Sequence, residues 1–280
     1  MNHSIKELND AKQVFKQKGT CSQTFFYLLN REFGHLKKGE EQATDPLAGG
    51  IMREGHQCGM LWGAAMAVGA EAHRRCENLD QAIAVAVRAT QHLLKSFADR
   101  TDTLNCREIT DTDFNKTWQM LKFMVFKSNS CFKLAEAWAP EAVQAAMEGL
   151  ANTPPEQLRN CVSCAAEVAR RMGASGEEMA MVAGFAGGLG LSGEGCGALS
   201  AAIWMNTLDW SKKHPGKQTY SNPAAEKTLE AFYELTEDKI LCREISGQQF
   251  DNLEEHAAFI NKGGCEEVIK TLAQTWVLVE

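Results

Sequence analysis

The sequence predicts an all-α protein in which two similar helical-bundle repeats pack together as a pseudo-dimer. Apolar residues recur every three or four positions along each long segment, which is the spacing of one helix face. Proline is scarce, at 6 of 280 residues, and no segment shows the alternation of apolar and polar residues typical of a strand. A set of four cysteines also occurs twice in the same order, which indicates a duplicated unit.

The predicted helices follow one scheme in both halves of the chain. In the first segment, Phe25 and Leu28 share a face, and Gly34 ends the helix. The predicted segments are 20–33, 58–71 and 81–98 in the first half, and 154–172, 177–186, 196–208, 224–235 and 265–279 in the second.

A boundary between the two units is predicted at residues 151–155. Thr153 followed by Glu156 is a capping-box pattern, and Pro154 suits the first position of a helix. A new helix should therefore begin at about Pro154. We accordingly predict a first four-cysteine repeat at 1–150 and a second at 151–280.

The composition is that of a globular protein with an acidic balance. Lys and Arg number 29 against 36 Asp and Glu, which gives a net charge of −7, and hydrophobic residues make up 44% of the chain. Nucleic-acid-binding proteins usually present a basic face, so no nucleic-acid partner is expected. The N-terminal segment lacks an apolar signal core, and no run reaches the ~18 apolar residues of a membrane span. We therefore expect a cytoplasmic protein without a membrane span.

Ten cysteines are the unusual feature of the composition. A reducing cytoplasm does not maintain disulfide scaffolds, so metal ligands, redox thiols or buried small side chains are expected instead. Eight of the ten form two matched sets, since Cys106-Arg-Glu-Ile recurs as Cys242-Arg-Glu-Ile, and Cys58-Gly recurs as Cys196-Gly. The intervals agree, at 48 positions from Cys58 to Cys106 and 46 in the second half. Cys76 has no counterpart.

The first member of the second set has two candidates. Cys21 lies 37 positions before Cys58, while Cys161 lies 35 and Cys164 lies 32 positions before Cys196. The spacing favours Cys161, and a shift of one helical turn would select Cys164. The candidate sites are Cys21, Cys58, Cys106 and Cys131 for site one, and Cys161 or Cys164 with Cys196, Cys242 and Cys265 for site two.

Several of these cysteines fall near predicted helix N-termini. Cys58 and Cys196 directly follow glycine-rich loops, and Cys131 and Cys265 also lie close to predicted helix starts. Free N–H groups and the positive end of the helix dipole favour a thiolate there. The thiolate is the form that binds metals and attacks disulfides, so the pattern predicts a chemical role for these positions.

The ordered cysteine set resembles the redox-active protein family named for its C-GCAxxG-C-C signature, present here as a tandem duplication. The second signature element reads CGMLWG at 58–63 and CGALSA at 196–201, and the third is the Cys-Arg-Glu motif. The resemblance implies an iron–sulfur cluster of unspecified type, with electron transfer to a redox partner protein or electron carrier. It implies no particular substrate, so an oxidoreductase activity and the oligomeric state stay open.

Three hypotheses follow for the cysteine sets. Four thiolates match the ligand number of an iron–sulfur cluster, which we favour, and zinc would suit the same ligands as a structural site with four cysteine ligands. A metal-free thiol–disulfide protein would instead use Cys58 and Cys196 as attacking thiols of low pKa. A helical interaction module with packed cysteines is the third possibility.

Overall fold

The computed structural model describes residues 10–151 and 162–275, which form an all-α structure. The β-type pairing within these ranges is limited to two isolated bridges, Gln57 with Asn105 and Gly195 with Leu241. The helices are α1 Ala11–Lys18, α2 Cys21–Glu32, α3 Lys38–Gln42, α4 Gly59–Arg75, α5 Leu79–Thr101, α6 Cys106–Thr110, α7 Thr117–Lys122, α8 Ser128–Ala151, α9 Cys164–Arg171, α10 Gly176–Ala183, α11 Gly197–Lys213, α12 Pro223–Thr236, α13 Cys242–Ser246, α14 Leu253–Asn261 and α15 Glu266–Gln274. A 3-10 turn covers Asp45–Leu47, and a π-helical turn covers Phe123–Lys127.

The order of the helices repeats, which confirms the predicted fold class. Helices α2, α4, α5, α6 and α8 correspond to α9, α11, α12, α13 and α15. The fourth helix pair shows the match clearly, because α6 begins at Cys106 and α13 begins at Cys242 in the two Cys-Arg-Glu-Ile motifs.

The two repeats pack through one continuous hydrophobic core. Helix α4 packs against α2 and α5 of its own repeat and against α10 of the other. This close approach requires glycine, because a Cβ at Gly69 would lie 2.2 Å from the carbonyl oxygen of Ala180. Trp62 on α4 meets Phe185 edge-on, with ring centroids 4.7 Å apart. The cysteine-bearing end of α4 is therefore anchored by both repeats.

The start of the second repeat differs from the prediction. Val162 and Ser163 are not helical, so a continuous helix over 154–172 is wrong, and α9 begins at Cys164. Ser163 caps this helix, its Oγ accepting a hydrogen bond from the N–H of Ala166 at 3.4 Å. Several predictions fall outside the described residues. They are the boundary at 151–155 beyond Ala151, the helix start at Pro154, the alternative ligand Cys161 and the helix end at 276–279.

The start of α8 also differs from the prediction. Helix α7, the π-helical turn and α8 form one helical run from Thr117 to Ala151, so Cys131 lies inside a helix and does not follow a free N-terminus. In the part of this run that precedes Cys131, five large apolar side chains are more than half exposed: Trp118, Leu121, Met124, Val125 and Phe126.

Among the helices described, none combines the length and the apolar composition needed to cross a bilayer.

Candidate functional site

A left-handed loop precedes the second cysteine in each repeat. Residues 49–53 have φ values from 52° to 79°, and residues 187–191 have φ values from 57° to 82°. Non-glycine residues adopt this conformation at a cost of about 1–2 kcal/mol each. Glycine is required at position 50, because a Cβ there would lie 2.4 Å from the backbone nitrogen of His56. Both repeats thus contain the same strained loop.

These loops direct backbone N–H groups toward the first cysteine of each site. The N–H of Gly49 donates a hydrogen bond to the sulfur of Cys21. In the second repeat, the N–H of Gly187 donates in the same way to the sulfur of Cys164. Successive N–H groups on such a loop form a concave site that suits a negative charge.

Short backbone pairings hold the second and third cysteines of each site together. The N–H groups of Cys58 and Cys106 donate to the carbonyl oxygens of Leu104 and His56, at 2.8 and 2.7 Å. Equivalent bonds of 2.9 and 2.6 Å join the matching segments of the second repeat. The N-terminal ends of α4 and α6, and likewise of α11 and α13, are therefore fixed beside each other.

Site one brings together all four cysteines of the first set. The thiol of Cys58 donates a hydrogen bond to Cys21, which lowers the pKa of Cys21, although burial opposes this effect. Cys58 responds in the opposite direction: its hydrogen bond to Cys21, its burial and the nearby charges of Cys21, Cys106 and Cys131 all raise its pKa well above the usual range. Site one therefore contains one acidic thiol beside thiols that resist ionisation.

The other two thiols of site one are held neutral by their surroundings. Burial is the main cause of a strongly raised pKa at Cys106, and charges on Cys21 and Cys131 add to it. Burial likewise raises the pKa of Cys131 to about 12. Two or more thiolates at this site would require a compensating positive charge.

Site two surrounds a small cavity of about 20 Å³. The cavity is lined by four cysteines together with apolar and aromatic side chains, namely Cys164, Cys196, Cys242, Cys265, Phe250, His256 and Phe259. Burial raises the pKa of Cys164 and of Cys196 to about 12. The pKa of Cys242 is raised more than those of Cys164 and Cys196. Burial is the main cause, and the charges of the other three cysteines add to it.

One family model matches both repeats, over residues 20–174 and 159–278, and its description is "Putative redox-active protein (C_GCAxxG_C_C)". The chain belongs to this family. The two matches confirm the resemblance drawn from the cysteine motifs and agree with a tandem duplication. No curated protein and no solved structure matches the chain.

The second copy of this redox-active family unit uses Cys164 at the position that Cys21 holds in the first. Cys164 begins α9 as Cys21 begins α2, and the two thiols accept the same loop hydrogen bond. The spacing of the cysteines predicts Cys161 instead, which lies outside the described residues. Helix α2 has 12 residues and α9 has 8, so one helical turn is missing from the second copy.

The expectation of low-pKa thiols at helix N-termini was wrong for the two cysteines proposed as nucleophiles. Cys58 and Cys196 occupy the N-cap positions of α4 and α11, yet both have raised pKa values. At Cys196, two backbone N–H groups lower the pKa, but desolvation has the larger effect. Cys76, which has no counterpart, stands apart from both sites and is partly exposed.

Sequence reasoning missed two residues that shape the sites. Gly59 lies against Cys21, since a Cβ at position 59 would be 2.6 Å from the Cys21 sulfur. His256 lines the cavity of site two, and burial lowers its pKa to about 4. The glycine was visible in the Cys-Gly pair of both motifs. His256 gave no signal in the comparison of the repeats, because the first repeat has no histidine in the matching segment.

The donor chemistry of both sites suits a thiolate-ligated metal. Each site combines four thiols, and iron–sulfur clusters are held by four cysteine ligands. In the part of the chain described, no three His, Cys, Asp or Glu side chains are grouped so that they could hold a metal ion. The cavity at site two has room for about one water molecule. A cluster at site two would therefore require this cavity to widen.

Proposed function

We propose that this redox-active protein binds a thiolate-ligated metal cofactor in each repeat, with an iron–sulfur cluster as the favoured form, and that it transfers electrons. The observation that carries the proposal is the convergence of four buried or partly buried cysteines in each repeat from separate segments of the chain. The ligands would be Cys21, Cys58, Cys106 and Cys131 at site one, and Cys164, Cys196, Cys242 and Cys265 at site two.

The electrostatics of the thiols support a cationic cofactor. Burial and mutual repulsion hold most of these thiols protonated, so four thiolates in one site need positive charge among them. Metal binding would release the thiol protons and supply that charge. When bound, an iron–sulfur cluster provides one-electron redox chemistry at a site that excludes bulk water.

The glycine loops supply the surroundings that such a cofactor needs. The N–H groups of Gly49 and Gly187 point at a sulfur of each site. Hydrogen bonds to cluster sulfurs and low solvent exposure both tune the reduction potential. Because the loop is the same in both repeats, we expect its contribution to the two potentials to be similar. The electron would pass to a redox partner protein or an electron carrier.

Anaerobic purification with metal analysis tests this proposal. We expect a brown protein with absorption near about 400 nm, from sulfur-to-iron charge transfer, and iron with acid-labile sulfide. Cys58→Ser and Cys196→Ser should each remove part of the iron and colour, whereas Cys76→Ser should retain both. Protein that stays colourless and iron-free after reconstitution with iron and sulfide would exclude the cluster. Stoichiometric zinc would instead indicate a structural zinc site with four cysteine ligands.

A second candidate function is thiol–disulfide exchange at site one. The hydrogen bond between Cys21 and Cys58 pairs an acidic thiol with a neighbouring thiol that stays protonated. The Cys21 thiolate would attack a substrate disulfide and release one substrate thiolate, and Cys58 would then close a Cys21–Cys58 disulfide and release the second thiol. The substrate gains two electrons, and the two protein thiols are oxidised.

The two candidate functions predict different products of oxidation. Metal-free protein treated with oxidised glutathione should form a Cys21–Cys58 disulfide, detected by peptide mapping, if the exchange function operates. Cys58→Ser should then trap a mixed disulfide at Cys21, and Cys196→Ser should react as the wild type does. Iron loading that leaves Cys21 unreactive would favour the cluster.

A further inference from the structure

Site two contains a nitrogen donor that has no equivalent in site one. His256 lies on α14 with 1% of its surface exposed, and it lines the same cavity as the four cysteines. His256 lies six residues after Phe250 and nine residues before Cys265. Counted in the same way from the matching Phe114 and Cys131, the first repeat has Met120 or Lys122. The chemistry of the two sites therefore differs at this position.

One ring nitrogen of His256 is buried without a hydrogen-bond partner. This atom is Nδ1. The backbone of Val162 also contacts the ring and favours its protonated form, although burial has the larger effect and lowers the pKa of His256. In the neutral ring, Nδ1 can carry a lone pair that is free to bind a metal ion.

A buried ring nitrogen without a hydrogen-bond partner lowers the stability of the fold unless it binds a ligand. An unsatisfied buried polar atom costs about 1–3 kcal/mol, and nearly all such atoms in folded proteins are paired. No thiol of site two makes a hydrogen bond to Nδ1. The ring is held in place by Phe250, which meets it edge-on with centroids 5.0 Å apart. Its orientation is thus fixed by packing and by the contact with Val162.

These features are those of a metal-ligating histidine. Such a residue typically donates its second ring N–H to a backbone carbonyl, which sets the tautomer and orients the free nitrogen. Imidazole nitrogen and thiolate sulfur occur together in zinc and iron sites. A cavity lined by four thiols and one free imidazole nitrogen offers this mixed donor set.

We propose that His256 is a nitrogen donor of site two and binds its metal cofactor through Nδ1 in place of one of the four cysteines, so that site two has mixed nitrogen and sulfur ligation while site one has sulfur alone. This inference rests on the proposed function, since it requires a metal at site two. Histidine ligation raises the reduction potential of iron–sulfur centres relative to cysteine ligation. Site two should therefore have the higher potential, and electrons should reside there first.

Pulsed electron paramagnetic resonance of the reduced, iron-and-sulfide-reconstituted full chain tests the assignment. We expect a strong nitrogen hyperfine coupling in the wild type, which changes when the protein is labelled with ¹⁵N-histidine. The coupling should vanish in His256→Leu, and the reduction potential of that centre should fall. His214→Leu, which alters an exposed histidine, should leave both unchanged.

The possible outcomes separate this inference from the proposed function. Iron-loaded wild type without histidine coupling, or with a coupling that persists in His256→Leu, would overturn the role of His256 and leave the cofactor proposal intact. Wild type that takes up no iron would overturn both. The isotope measurement needs no variant, and His256→Gln offers a second substitution if His256→Leu does not fold.

Discussion

The contact between Gly59 and Cys21 provides a sensitive test of the geometry of site one. Gly59 is the first residue of α4, and Gly39 occupies the first turn of α3. A Cβ at Gly59 would lie 2.6 Å from the Cys21 sulfur and 2.9 Å from the Cα of Ala48, whereas a Cβ at Gly39 would meet nothing within 4 Å. Gly59→Ala and Gly39→Ala are therefore matched substitutions with opposite expected effects.

The magnitude follows from two opposing contributions. Replacing a helical glycine with alanine stabilises by up to about 1 kcal/mol when the new methyl group has space. At Gly59, the neighbouring sulfur and backbone would have to move by about 1 Å to reach normal contact, and such overpacking costs about 1–3 kcal/mol. We expect Gly59→Ala to lower the free energy of unfolding by about 1–2 kcal/mol and Gly39→Ala to raise it by about 0.5 kcal/mol.

Urea unfolding of the reduced, metal-free protein, followed by circular dichroism under argon, measures both effects. In Gly59→Ala, displacement of Cys21 should also change its rate of alkylation by iodoacetamide, which peptide mass spectrometry reports residue by residue. A Gly59→Ala protein that is as stable as wild type, with Cys21 reacting at the wild-type rate, would refute the close packing of α4 against Cys21.

Three further predictions concern the metal-free protein. Because the pKa of Cys196 is raised to about 12 in the fold, its stabilising contribution is present below about pH 9 and lost as the pH rises toward 12. The free energy of unfolding from urea titrations should fall less steeply with pH in Cys196→Ala, by up to about 1.4 kcal/mol per pH unit, and equal slopes would contradict the raised pKa. Cys58→Ala should raise the pKa of Cys21 by removing its strongest hydrogen bond, which pH-dependent alkylation would detect as a later onset. Gln57→Ala should cost about 1–3 kcal/mol in urea unfolding, because the Gln57 side chain donates to the carbonyl of Gly188 across the repeats at 2.7 Å, and an unchanged midpoint would exclude that role.

Local sequence patterns were enough to determine the helical fold and the duplicated cysteine set. Apolar spacing and end signals act within a few residues, so α2, α4 and α12 were placed to within a few positions of their observed bounds. The order of the cysteine motifs is likewise a property of the sequence alone. It predicted the family whose model matches both repeats.

Only the tertiary structure decided which thiols meet and how acidic they are. The choice of Cys164 depended on a helix shortened by one turn, which spacing alone could not reveal. The pKa of Cys58 depended on its hydrogen bond to Cys21, on burial and on the charges of the neighbouring thiols, whose combined effect exceeds that of the helix terminus. The lone pair of His256 became apparent only when packing placed it beside cysteines distant in the sequence. Desolvation and through-space charge depend on the assembled core, so no local pattern encodes them.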